Sequence, residues 1–148
     1  MARYFEDVEV GEEFETPGRT ITEADLVGYA AISGEHEALD WSAAESPPRV
    51  PDTLVLIVTA GLGFRIPIEQ PQVLAFMVFD LQAVRPVRVG DTIRCRVRVS
   101  AKRPMRDGGV LVEQRQMLNQ RGEVVQESEY KLLVARRPRP AETPPLAR

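Results

Sequence analysis

The stretch VPDTLVLIVTAGLGFRI, Val50 to Ile66, restricts the fold more than any other part of the chain. Leu54, Ile57, Val58 and Leu62 recur at helical spacing, and Val55, Leu56 and Ala60 carry the apolar surface almost all the way round. A buried strand competes, since Val and Ile are frequent, but a run of about fifteen residues exceeds an ordinary strand and favours helix. A helix that is apolar on nearly every side has to be covered on most of them. Asp52 or Thr53 is the expected cap at its start.

The flanking segments supply that cover. RTITEADLVGYAAISG reads as an earlier helix, with Thr22 and Asp25 as a capping pair, Leu26, Tyr29 and Ala30 on one face, and Gly34 as the stop. A polar, proline-bearing connection follows from Glu35 to Pro51, and loops of such length tend to carry function. After Gln72 the period drops to two. VLAFMVFDLQAVRPVRVGDTIRCRVRVSAKR predicts two strands around a VRVGD turn; in the second, Ile93, Cys95, Val97 and Val99 face one way and Arg94, Arg96 and Arg98 the other. GGVLVEQRQMLNQRGEVVQESEYKLLVARR predicts two more, joined near Asn119 to Gly122. A curved antiparallel sheet wrapped around a long central helix satisfies this order, which is the α+β hotdog arrangement. One domain is expected over residues 1–136, and a proline-rich, disordered tail over 137–148.

Composition narrows the function. A formal charge of −3 gives no pull toward nucleic acid or an anionic membrane. One cysteine, Cys95, and one histidine, His36, build neither an intrachain disulfide nor a metal cluster. No apolar run reaches a membrane-spanning length, and MARYFEDVEVGEE lacks the pattern of a secretory signal, so a cytoplasmic protein is expected.

Three segments carry a likeness. FEDVEVGEEFETPGRTITEADLVGYAAISG, VRPVRVGDTIRCRVRV and NQRGEVVQESEYKLLV together resemble the MaoC-like dehydratase family, which includes the (R)-specific enoyl-CoA hydratases. The resemblance implies a homodimer or higher oligomer. Its ligand would be an acyl thioester, of coenzyme A or of acyl carrier protein, bound at or near the subunit interface, with no other cofactor and no metal.

In that family the active segment runs Ser-Gly-Asp-x-Asn-Pro-apolar-His-x-Asp. Its Asp and His hold the water that adds across a 2-enoyl thioester, because water is a poor nucleophile until a positioned base takes its proton. A backbone N–H at the start of the central helix, usually from glycine, stabilises the enolate oxygen. Aligned without gaps, this chain has Glu35 where the family has Asp, Asp40 where it has His, and Asp52 where it has the helix-start glycine. An ionised Asp only accepts hydrogen bonds, whereas histidine also donates. Asp52 adds negative charge beside a developing enolate. The family mechanism therefore does not carry over unchanged.

Catalytic candidates are Glu35, Asp40 and Asp52, with His36 behind them because it adjoins Glu35 and points the other way in an extended segment. Substrate-binding candidates are Trp41, Thr53, Arg85 and Arg88, the arginines for the phosphates of coenzyme A. The Arg94/Arg96/Arg98 stripe reads better as a solvated face opposing carboxylates on a neighbouring strand. Three functions fit: a hydratase or dehydratase with a shifted catalytic pair; a hotdog thioesterase using Asp52; or a non-catalytic acyl-thioester binder or partner subunit.

Overall fold

The computed structural model describes residues 2–39 and 47–138; Asp40, Trp41 and the tail beyond residue 138 lie outside the described residues. The chain forms β1 (Glu13–Glu15), β2 (Arg19–Thr20), α1 (Glu23–Ser33), α2 (Asp52–Leu62), β3 (Val73–Phe79), β4 (Gln82–Ala83), β5 (Thr92–Met105), β6 (Gly108–Leu118) and β7 (Val124–Val134). The strands make one antiparallel sheet in the order β1-β5-β6-β7-β3, with β2 also on β5 and β4 on β7. With α2 against its inner face this is the expected α+β hotdog. No helix among the described residues is long and apolar enough to cross a membrane.

The residue that caps α2 is Pro51, one position before Asp52 and two before Thr53, the expected caps. Pro51 (φ −56°, ψ 138°) precedes the helix, and its carbonyl accepts from the N–H of Leu54 (3.0 Å) and Val55 (3.2 Å). Proline's fixed φ sets this boundary and leaves Asp52 as the first helical residue, where a carboxylate meets the positive end of the helix dipole. Leu54, Val55, Thr59 and Leu62 are buried, and the Thr59 hydroxyl is satisfied by the Val55 carbonyl at 2.9 Å. The cover is not all-round, however. Ile57 is 59% exposed, and Phe64, just beyond the helix, is 83% exposed.

β5 follows its period-two pattern. Ile93, Cys95, Val97 and Val99 are buried, while Arg94 and Arg96 reach Glu15 and Glu13 of β1 on the outer face. Burial pushes the Cys95 thiol up to about 11. Around VRVGD the pattern differs from expectation, because β3 pairs with β7 and not with β5. The intervening backbone is already engaged: Val50 N–H donates to the Val87 carbonyl (2.8 Å), and Val89 N–H to the Pro48 carbonyl (3.0 Å). Gly90 (φ 95°) then turns the chain into β5. This tie also anchors the segment that leads into α2.

The N-terminal segment closes one end of the barrel-like curve. Phe5 is buried, its N–H donates to the Ala135 carbonyl (2.9 Å), and its ring lies over Gly109. A Cβ at Gly109 would stand 2.2 Å from that ring, so the position excludes any side chain.

α1 has the expected ends. Gly34 stops it in the left-handed conformation (φ 76°), donating to the Ala30 carbonyl at 2.9 Å. At its start the Asp25 carboxylate accepts from the Thr22 N–H (2.8 Å) and hydroxyl (3.0 Å) and pairs with Arg19. Burial raises the Asp25 pKa, but the hydrogen bonds from Thr22 and Arg19 outweigh it and hold the carboxyl below its ordinary 3.8. A depressed folded-state pKa contributes stability above the unfolded value, and that stability is lost as pH falls through the folded value. Asp25→Ala is therefore expected to cost about 1 kcal/mol at neutral pH, the usual worth of a helix cap. The gap to wild type should narrow below pH 3.8 in urea titrations at matched pH values.

Candidate functional site

The turn after α1 and the start of α2 meet at one open cleft of about 520 Å3, lined by Glu35, Glu37, Arg49, Val50, Pro51, Asp52 and Thr53. Gly34 reverses the chain at the end of α1, and the Ser33 hydroxyl accepts from the Glu35 N–H at 3.1 Å. This places the Glu35 side chain back over the last turn of α1. There the Tyr29 hydroxyl donates to Glu35 Oε2 at 2.7 Å and lies 2.6 Å from the Thr53 hydroxyl oxygen. Glu35, Tyr29 and Thr53 thus form a continuous hydrogen-bonded chain from one helix to the next, ending in the first turn of α2.

Asp52 sits beside this chain. Its Oδ2 is 3.4 Å from the Arg49 guanidinium, while its Oδ1 is buried with no partner among the described residues. The Asp52 carbonyl accepts from Nε2 of Gln126, a fully buried side chain on the inner face of β7, at 2.7 Å. The sheet therefore holds the helix start from beneath. An α-helix cannot satisfy its first amides internally and carries partial positive charge at that end, so this end of the cleft suits an oxygen that gains negative charge.

The remaining candidates lie elsewhere. His36 opens a short 3-10 turn, is exposed, and does not line the cleft. Arg85 donates to the Val124 carbonyl (2.9 Å), and Arg88 donates to the Pro47 carbonyl (2.8 Å) and through its N–H to Asp91. Arg88 also forms a backbone bridge with Arg49, which brings it near the cleft rim. Asp40 and Trp41 lie outside the described residues. Sequence reasoning missed three members. Tyr29 reads as a packing residue, Arg49 as part of a loop, and Gln126 as one polar residue among many. Only Gln126 left a signal: strand alternation puts it on the inward face with Ser128 and Tyr130.

The fold and the cleft define a class: a hotdog chain with a carboxylate, a phenol and a helix N-terminus around one opening. The MaoC-like domain model matches residues 6–120, and the chain belongs to that family. It is similar to protein MaoC of Klebsiella aerogenes, 37% identical over 106 residues, which is 68% of this chain but only 31% of that protein. It is also 34% identical over 110 residues to 3-hydroxybutyryl-CoA dehydratase of Methylorubrum extorquens, covering 70% of this chain and 68% of that enzyme. Among solved structures, the monoamine oxidase regulatory protein from Archaeoglobus fulgius superposes with a TM-score of 0.80 at 28% identity, covering 93% of this chain and 97% of that one.

Gln126→Leu tests the support beneath the helix. Loss of a donor to a buried carbonyl costs about 1–3 kcal/mol, offset in part by removing the Gln126 Oε1, which is itself buried and unpaired. The expected result is a modest fall in global stability with markedly faster amide exchange in the first turn of α2, read by hydrogen–deuterium exchange.

Proposed function

We propose that this protein adds water to, or removes it from, a 2-enoyl/3-hydroxyacyl thioester, with Glu35 as the base. The observation that carries the reading is the Glu35–Tyr29–Thr53 hydrogen-bond chain, which holds a carboxylate at the mouth of a cleft that ends on the N-terminus of α2. The relative named as a 3-hydroxybutyryl-CoA dehydratase supports the substrate class. In the hydration direction, Glu35 takes a proton from water as the water oxygen bonds to C3 of the enoyl group. The electron pair moves onto the thioester oxygen, where the amides opening α2 stabilise it, and C2 then takes the proton that Glu35 removed from water, which regenerates the carboxylate. Tyr29 and Thr53 fix the reach of Glu35, which matters because an error of about 1 Å costs roughly a hundredfold in rate. Arg49 and Arg88 offer cations at the rim for the phosphates of coenzyme A or a carrier's phosphopantetheine. The thioester is the substrate, and no separate cofactor takes part. The single buried thiol suits a reducing cytoplasm.

The thioesterase reading draws on a different observation, the buried and unpaired Oδ1 of Asp52. A free carboxylate oxygen there would activate water against the thioester carbon, and it opposes an enolate on the neighbouring oxygen.

Two assays separate these readings. Loss of enoyl-thioester absorbance should occur with wild type, fall by about a hundredfold or more in Glu35→Gln, and fall about tenfold with unchanged KM in Tyr29→Phe. Thiol release that disappears in Asp52→Asn, with no hydration by wild type, would assign the thioesterase instead. If wild type does neither, only an acyl-thioester binder or partner subunit remains.

We further propose a homodimer built on β3. Residues Val73–Phe79 form a sheet edge in which every residue is exposed, Phe76 and Phe79 by 64% and 55%. An apolar, unpaired edge strand of this length invites pairing with a second copy. Met77→Lys is expected to shift sedimentation from dimer to monomer at micromolar concentration.

A further inference from the structure

The outer face of the sheet carries a depression of about 550 Å3, on the other side of the sheet from α2. Strand alternation builds it from two cross-strand rows. In one, Glu15, Arg96, Gln116 and Glu127 stand side by side on β1, β5, β6 and β7; in the other, Glu13, Arg98, Gln114 and Glu129 do. The floor is therefore made of amides, Gln114 and Gln116 of β6. The β5 wall is cationic, with Arg96 and Arg98. The β7 wall is anionic, with Glu127, Glu129 and, from the bend between β3 and β4, Asp80. Two strand spacings, roughly 10 Å, separate the walls.

A solvated face of mixed charge can neutralise itself, and Arg96 shows how. It donates to Glu15 Oε2 from Nε (3.3 Å) and Nη2 (3.2 Å). The second row behaves differently. Glu13 stands directly across from Arg98, yet its carboxylate lies 3.7 Å from the Arg96 guanidinium instead. Arg98 is exposed and has no ion pair or hydrogen bond among the described residues. On the opposite wall, Glu129 is met by Gln114 (2.7 Å) and Lys131 (3.3 Å). The Glu127 side chain meets only the neutral Gln116 amide (2.9 Å), and the Asp80 carboxylate only the Glu129 N–H (2.6 Å), among the described residues. A cation without a counter-charge thus faces two such carboxylates across a floor of amides, too far away to pair with them. Gln114 and Gln116 each give one N–H to a glutamate and keep further hydrogen-bonding capacity.

We propose that this depression binds a small zwitterion of dipeptide size, lying across β6. Its carboxylate meets Arg98, whose planar guanidinium offers paired donors. Its ammonium lies against Glu127 and Asp80, and its central amide meets the amides of Gln114 and Gln116. A carboxylate without the ammonium satisfies Arg98 but is repelled by the β7 wall, and an ammonium without the carboxylate is repelled by the β5 wall. Only a molecule that carries both charges, set apart, satisfies both walls. Solvent reaches each contact, so the affinity is modest and falls with salt. The site shares no residue with the Glu35 cleft, so the inference stands apart from the thioester reading.

Titration of the isotope-labelled full chain, followed by its amide chemical shifts, tests this with three probes of one shape. Glycylglycine carries both charges, N-acetylglycine lacks the ammonium, and glycine N-methylamide lacks the carboxylate. Glycylglycine should saturate in the millimolar range and move the amides of β5, β6 and β7 around Arg98, Gln114 and Glu127. Each singly charged probe should bind about fivefold more weakly. Arg98→Gln should abolish the preference for glycylglycine over glycine N-methylamide, and Glu127→Gln should reduce its preference over N-acetylglycine. Both substitutions lie on the solvent face, and the free variants' spectra report whether the fold is kept. Raising sodium chloride to about 0.5 M should weaken glycylglycine. Equal binding of the three probes, shifts confined to the Glu35 cleft, or no shift at about 20 mM glycylglycine overturns the proposal. So does unchanged binding in both variants, which would make the contact a non-specific one.

Discussion

The contact of α2 with the inner face of the sheet determines the rest of the molecule. Each fully buried Leu or Val side chain contributes on the order of 1.5–3 kcal/mol, and Leu54 and Val55 deliver that against Ile93, Met117 and Val125 and their neighbours. Leu56 touches both buried clusters, so one helix joins the two halves of the core. The same contact gives the helix start a fixed position relative to α1. Because Gln126 holds the Asp52 carbonyl from below and Tyr29 bridges Glu35 to Thr53 from above, the cleft is a by-product of how the core closes.

Much of this was legible in the residues. The helical run after Pro51, the switch to period two after Gln72, and the outward arginines of β5 opposite glutamates of β1 all follow from spacing and polarity. The strand pairing around VRVGD was not, because it depends on residues 48–50 occupying the backbone of residues 87–89, a contact no local pattern announces. The site divides in the same way. Glu35 and Asp52 were readable from motif position, and Thr53 from its place at the expected helix start. Tyr29 was not, since a tyrosine on the inner face of a helix reads as packing until its hydroxyl is seen between two partners. Glu113 and Arg115 stand on the inward side of a strand where alternation alone would have exposed them to notice.

Two sets of buried polar groups lie at the start and the end of the same helix. At the start, the unpaired Oδ1 belongs to Asp52 in the wall of the cleft, and the unpaired Oε1 of Gln126 lies beneath the helix. At the end, the Glu113–Arg115 pair lies beneath a void. Elsewhere the core faces of β5 and of the first half of β6 are conventional and apolar. Departures from apolar packing that cluster beside cavities are the arrangement expected where a fold gives up some stability for chemistry.

The position of β7 has a consequence for biogenesis. It is the last of the described strands to leave the ribosome, yet it lies between β6 and β3, also carries β4, and supplies Gln126 beneath the helix. A nascent chain that has emerged only as far as β6 has a central helix without its floor and an orphaned β3. Folding must therefore wait until β7 has been synthesised, and long-range pairings of this kind are slow to form. During that interval the most apolar segments of the chain stand open to aggregation.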